Sequence, residues 1–218
     1  MLTIYLIRHA ESMGNVNHHL IGGQSNHYHL SERGEEQADI LGQRLKREGY
    51  RFDQVYASEA IRAQQTARIA LDHVGLPFDQ VKITPLILEL SQGEWEGAVR
   101  KEIYTAERKA AILADSYTFK APGGESQQDV EQRMFQWMEA AKDAAADGQV
   151  IAGFTHGFAI KTLVRKMLGA DASTTYRTII HNTSISCFQF DYGKNAWFME
   201  RVNDFQHLHG QDFIGHYG

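Results

Sequence analysis

A three-layer α/β fold, with helices on both faces of a mixed but mainly parallel sheet of about six strands, is predicted from three observations. Short apolar runs alternate along the chain with longer stretches whose apolar residues recur at helical spacing. The early runs lack in-out alternation, as expected where helices cover both faces. The last two runs do alternate and lie close together, a hairpin-like pair that closes the sheet.

Taken in order, residues 3–7 (TIYLI) form the first strand, short, apolar and partly β-branched. Ser31 opens a helix carrying Ala38, Leu41 and Leu45, with Gly49 as its stop signal. Residues 52–57 (FDQVYA) read as the second strand, and Ser58 as the N-cap of a helix with Ile61, Ile69 and Ala70 on its apolar side. Residues 80–83 give another short strand. From 95 to about 115 a helical pattern with a weak apolar face is expected, followed by a loop at Gly123-Gly124. Ser126 and Asp129 form a capping box ahead of the stripe Val130, Met134, Trp137, Met138 and Ala141. Residues 149–155 (QVIAGFT) make a strand, 158–168 a helix ended by Gly169, and 184–191 and 196–202 the final pair.

With 218 residues, no internal repeat and no Pro/Gly/Ser-rich linker, one domain spanning 1–218 is expected, with a possible small helical cap within 85–125. The net charge of -5 argues against general affinity for nucleic acid or for an anionic membrane, and no apolar run is long enough to span one. Cys187 is the only cysteine, which excludes an intrachain disulfide and a cysteine-based zinc site. No secretory leader pattern is visible, so a cytoplasmic protein is the expectation.

In open α/β sheets ligands gather beyond the carboxyl ends of the strands. Three such ends here carry polar residues: Arg8-His9; Ser58, with Arg62 in the following helical turn; and Thr155-His156-Gly157. If these strands are neighbours, two histidines and two arginines converge on one pocket. Arginine offers a fixed fork of donors matched to phosphate oxygens, helix N-termini favour anions, and a neutral imidazole is a competent nucleophile.

At this point the residues resemble a known family. LIRHAESMGN (6–15) is similar to the phosphohistidine signature of the histidine phosphatase superfamily, also called the phosphoglycerate mutase-like family. SEAIRAQQTA (58–67), LELSQGEWEG (88–97), GGES (123–126) and FTHG (154–157) resemble further motifs of that family, in the expected order. The resemblance implies a phosphoglycerate mutase-like fold and a metal-independent phosphomonoester hydrolase with no cofactor, acting on a small phosphorylated substrate. It implies His9 as the phosphorylated nucleophile, with Arg8, Arg62 and His156 clamping the phosphoryl group. Asn15, Gly22 and Gly157 would complete substrate binding, and Glu89 would protonate the leaving oxygen and then activate water. Phosphoryl transfer rests on positioning and charge neutralisation, which these groups supply. A protonated His156 would help most, whereas His9 needs a bare ring nitrogen, its tautomer fixed by a backbone carbonyl. Ala10 stands where the family usually has glycine, adding a methyl near the ligand.

A mutase of the same family is the alternative, and an inactive phospho-ligand-binding member a second one. The phosphoglycerate mutase branch expects threonine or serine where Ile21 stands, and arginine and tyrosine in place of Leu90 and Gln92. It also expects paired arginines ahead of GGES; losing such anion contacts favours hydrolysis, with Arg100 the one residue able to serve. Trp95 either lines the substrate pocket or, as favoured, packs its loop onto the domain. His18, His19, His27 and His29 cluster without the carboxylate pattern of a metal site and are expected at the pocket rim or in solvent. His207 and His209 lie in a tail able to fold over the site.

Overall fold

The structure, a computed structural model, describes residues 1–210. Among these residues six strands form one sheet in the order β3-β2-β4-β1-β5-β6: β1 (Leu2–Arg8), β2 (Gln54–Ser58), β3 (Lys82–Thr84), β4 (Val150–Thr155), β5 (Ile185–Asp191) and β6 (Ala196–Asp204). Strands β3, β2, β4 and β1 run parallel, while β5 pairs antiparallel with both β1 and β6. The helices are α1 (Met13–Val16), α2 (Glu32–Arg47), α3 (Ile61–Asp72), α4 (Arg100–Ile103), α5 (Ala106–Ala114), α6 (Gln127–Ala144) and α7 (Gly157–Leu168).

Both faces of β1 are buried, which accounts for its continuous apolar run. Leu2, Ile4 and Leu6 meet Val130, Met134 and Trp137 of α6 and Leu163 of α7. Ile7 faces the other way, toward Leu41 and Leu45 of α2 and Ala67 and Leu71 of α3. Each large side chain so buried contributes roughly 1.5–3 kcal/mol. Helix α2 starts where the Gly34 amide donates to Ser31 Oγ at 3.0 Å, α6 carries the reciprocal Ser126–Asp129 box, and α7 stops at Gly169 with φ +59°.

Three local expectations are corrected. Ser58 is the last residue of β2 rather than an N-cap; Ala60 caps α3 without a side-chain bond of its own, while Ser58 Oγ accepts the Ala60 amide at 3.3 Å and bonds a distant ring at 2.8 Å. The third strand begins two residues late, after a 3-10 turn at Phe78–Gln80. Residues 95–115 are not one helix. Ile21 donates to Ala98 O and Gly97 donates to Ile21 O, so the main chain of 97–98 pairs with residue 21 instead of forming helical turns. Helix resumes as the short α4 and, behind Thr105, as α5. His207 sits against α2, its Nδ1 accepting from Arg44 at 3.2 Å and its Nε2 bonded to the Thr183 hydroxyl at 3.0 Å. His209 lies beside Phe205, ring centroids 5.2 Å apart, and residues 211–218 lie outside the described residues.

Candidate active site

The order β2-β4-β1 makes the three polar strand ends neighbours. Arg8 is in register with Thr155, and the His9 amide extends the ladder by donating to Thr155 O at 2.9 Å. The His9 carbonyl accepts from Asn182 Nδ2 at 2.8 Å. Its ring is fixed from both sides: Nδ1–H donates to Ala10 O at 2.7 Å, and Nε2 accepts from Arg62 Nε at 3.3 Å. Nε2 therefore carries the lone pair. Burial, and then the adjacent Arg62 and Arg8 charges, hold the ring well below the usual histidine range, so it is neutral.

Arg62 is the hub. Its Nη1 donates to Gln24 O and Ser25 O at 2.9 and 3.2 Å, and its Nη2 to Gly23 O at 3.4 Å and His156 Nδ1 at 3.2 Å. Burial lowers the guanidinium to about 10, which leaves it charged at neutrality. One turn on, the Thr66 hydroxyl donates to Arg62 O at 2.7 Å and accepts from Ala10 N at 3.0 Å, tying α3 to the loop after β1. The loop whose carbonyls hold Arg62 is itself organised by Glu96. The Glu96 carboxylate accepts the amides of Gln24 and Gln92, each at 3.0 Å, the Ser25 amide at 2.8 Å and the Ser25 hydroxyl at 3.1 Å. Gly23 has φ +54°, and a Cβ there would lie 2.4 Å from Glu96 Oε1, so glycine is required at this approach.

His156 is fully buried one layer back, its ring 5.0 Å from that of His9. Nδ1 accepts from Arg62, and Nε2–H donates to Ser58 Oγ at 2.8 Å. Burial and the Arg62 charge push it well below its ordinary value, so the ring stands neutral, unlike the protonated form expected with a phosphate beside it. Arg8 Nη1 donates to Ile180 O at 2.5 Å, and a Cβ at Gly157 would stand 3.3 Å from Arg8 Nε.

Glu89 reaches the N-terminus of α7, where Oε2 accepts from Phe158 N at 3.2 Å, while Oε1 accepts from Leu90 N at 2.8 Å. Its segment is held by Arg133, which donates to Leu86 O, Leu88 O and Glu89 O at 3.1, 2.7 and 2.9 Å and pairs with Glu125. The Thr155 hydroxyl donates to the intervening Ile87 O at 2.6 Å.

Arg8, His9, Asn15, Gly22, Arg62 and Glu89 all line one cavity of about 250 Å³. Ser12, Gly23, Tyr28, Leu90, Gln92, Arg100 and Phe158 complete much of its wall, whereas His156 and Gly157 stand behind it. Asn15 Oδ1 accepts from Ser12 N at 3.0 Å and Ser12 Oγ at 3.2 Å, so what it offers the cavity is N–H. Trp95 packs against Tyr104 and Phe119, each centroid 5.9 Å away, and does not line this cavity. Among the described residues no group of three or more His, Cys, Asp or Glu could hold a metal ion; the four loop histidines are exposed. Thr66, Glu96, Glu125, Arg133 and Asn182 are site residues that the sequence reading misses, and Ser58 it places only at the strand end. Thr66, Glu96 and Glu125 lie inside the quoted motifs and could be found there; Arg133 and Asn182 carry no local signal.

A doubly covered α/β sheet that buries a neutral histidine beneath two arginines at its strand ends is an anion-binding architecture, sized for a phosphoryl group and the first atoms beyond it. The chain belongs to the histidine phosphatase superfamily (branch 1), whose profile matches residues 4–204. It is 32% identical over 213 residues to the probable phosphoglycerate mutase GpmB of Erwinia tasmaniensis, with 95% of each chain covered. The alpha-ribazole phosphatase from Shigella flexneri superposes with a TM-score of 0.77 at 27% identity, covering 93% of this chain and 96% of that one. The phosphoserine phosphatase of Entamoeba histolytica, solved with 3-phosphoglyceric acid, gives 0.79 at 25% identity over 95% and 100% of the two chains.

Proposed function

We propose that the chain is a metal-independent phosphomonoesterase that works through a covalent phosphohistidine on His9. The observation that carries this reading is the fixed His9 tautomer: Nδ1–H is tied to Ala10 O, and Nε2 presents its lone pair beside Arg62. In the first step that lone pair forms the N–P bond while the ester P–O bond breaks, and the leaving oxygen takes a proton from Glu89. In the second, Glu89 accepts a proton from water, whose oxygen attacks phosphorus and releases His9 and phosphate. Arg8 and Arg62 offset the charge on the equatorial oxygens. Asn15 and Gly22 border the phosphoryl site, and an incoming dianion favours the charged form of His156 behind it.

Hydrolysis of p-nitrophenyl phosphate in excess EDTA, lost in His9→Ala, is the expected result. Chelator-sensitive activity surviving that substitution would overturn the mechanism, and stable phosphoester binding without turnover would point to a phospho-ligand-binding protein. A mutase reading draws on the name of the Erwinia relative and on Arg100, which lines the cavity. Against it, Leu90 and Gln92 stand on the same wall in place of further anion-binding side chains. Conversion of 3-phosphoglycerate, primed by bisphosphoglycerate and faster than hydrolysis, would favour the mutase.

A further inference from the structure

Beside the phosphoryl cavity lies a second opening of about 850 Å³, more than three times the volume of the first at about 250 Å³. The two share Gln92 and Arg100 as walls, so the larger one adjoins the phosphoryl cavity. Its lining has two characters. Tyr104 and Tyr176 supply flat apolar surface, and Lys101 and Lys109 join Arg100 as cations on α4 and α5. Among the described residues, no aspartate or glutamate lines it.

The walls are held in place. The Tyr104 hydroxyl donates to Gln92 Oε1 at 3.2 Å, its ring lies edge-on to Trp95, and the Arg100 guanidinium sits 5.5 Å from the ring centre. Arg100 Nε donates to His18 O at 3.1 Å. Tyr176 remains 45% exposed although its ring is 6.0 Å from Phe158, the residue whose amide bonds Glu89. The aromatic surface therefore begins at the reacting end and runs outward to the lysines.

We propose that this groove seats the leaving group of the substrate, and that the substrate is a phosphomonoester with a flat apolar body and an anionic far end. Carboxylate and phosphate share the chemistry that three cations without a carboxylate neighbour in the lining would recognise. The inference rests on the phosphatase reading. It adds that the chain selects for a long anionic ester over a compact or neutral one.

The test compares 6-carboxy-2-naphthyl phosphate with its 6-carboxamide, which matches it in shape and closely in leaving-group acidity. Wild-type kcat/KM is expected to favour the carboxylate by about fivefold at low salt, the scale of two or three exposed charge contacts, with the difference in KM. That preference falls as salt rises to about 0.5 M, where exposed charges are screened within a few ångströms. It also falls to near one in Lys101→Gln/Lys109→Gln, and the salt series on wild-type protein needs no variant. Hydrolysis of both esters with a ratio near one at low salt would overturn the groove assignment and leave the phosphatase standing. Hydrolysis of neither would overturn the phosphatase reading, and this inference with it.

Discussion

Glu96 never touches the candidate nucleophile, yet Glu96→Gln tests how the site is built. In the wild type one carboxylate oxygen accepts two amides, and the other accepts the Ser25 amide and hydroxyl. A glutamine keeps one acceptor oxygen and places an NH2 group against an N–H donor, whichever way it turns. Losing one charge-assisted bond costs about 1.5 kcal/mol, and the amide left without an acceptor costs about as much again. At roughly 2–4 °C per kcal/mol for a chain of this length, the two losses together lower Tm by about 6–12 °C. The displaced loop carries the three carbonyls that aim Arg62, so kcat/KM for p-nitrophenyl phosphate should fall by about 10- to 100-fold even well below Tm. Calorimetry and steady-state kinetics on the same sample read both effects. A Tm drop with wild-type kinetics at low temperature would refute the link from Glu96 through the loop to Arg62.

Two pH effects follow from the buried rings. His156 is neutral with the pocket empty and favours its proton beside a bound dianion, so the complex takes up a proton on forming and affinity rises as pH falls. Sulfate, whose own charge is constant, should bind more tightly as pH falls, by up to about tenfold per pH unit, and a calorimetric titration of His156→Gln showing the same slope would exclude this ring as the source. For stability the sign is fixed by His9, His156 and His207, all lowered, the last to about 4. Below about pH 6.5 the unfolded chain takes up protons that the folded one refuses, so stability is full above that pH and declines toward pH 4 by roughly 1 kcal/mol per unit for each ring. Urea midpoints that stay flat from pH 7 to about pH 4.5 would contradict it.

The strand ends were legible because burial on both faces leaves a plain apolar run, and because an open α/β sheet puts its polar work where such runs stop. Arg8, His9 and Arg62 were found in that way. Ser58 was misread because a serine between strand and helix has the same letter whether it caps the helix or bonds a ring 98 residues away. Arg133 lies on a helix whose sequence advertises only its core stripe; its work requires knowing that the 86–89 segment crosses it. Residues 97–98 were absorbed into a helix because their true partner, residue 21, is visible only after folding. Ala10 resolves simply: its methyl packs with Leu30 and Ala38, and its backbone is not among the positive-φ residues, so glycine's freedom is not needed there.

The oxygens that aim Arg62 at the cavity come from the main chain of residues 23–25. A carboxylate in their place would have cancelled the guanidinium charge; peptide dipoles orient it and leave the full positive field for an incoming ester. The loop that carries them is pinned in turn through its side chains, the Ser25 hydroxyl on Glu96 and the Gln24 amide on Glu125, so the clamp keeps its aim only while both anchors hold, and a substitution at 24 or 25 reaches the cavity through Arg62 without touching a ligand.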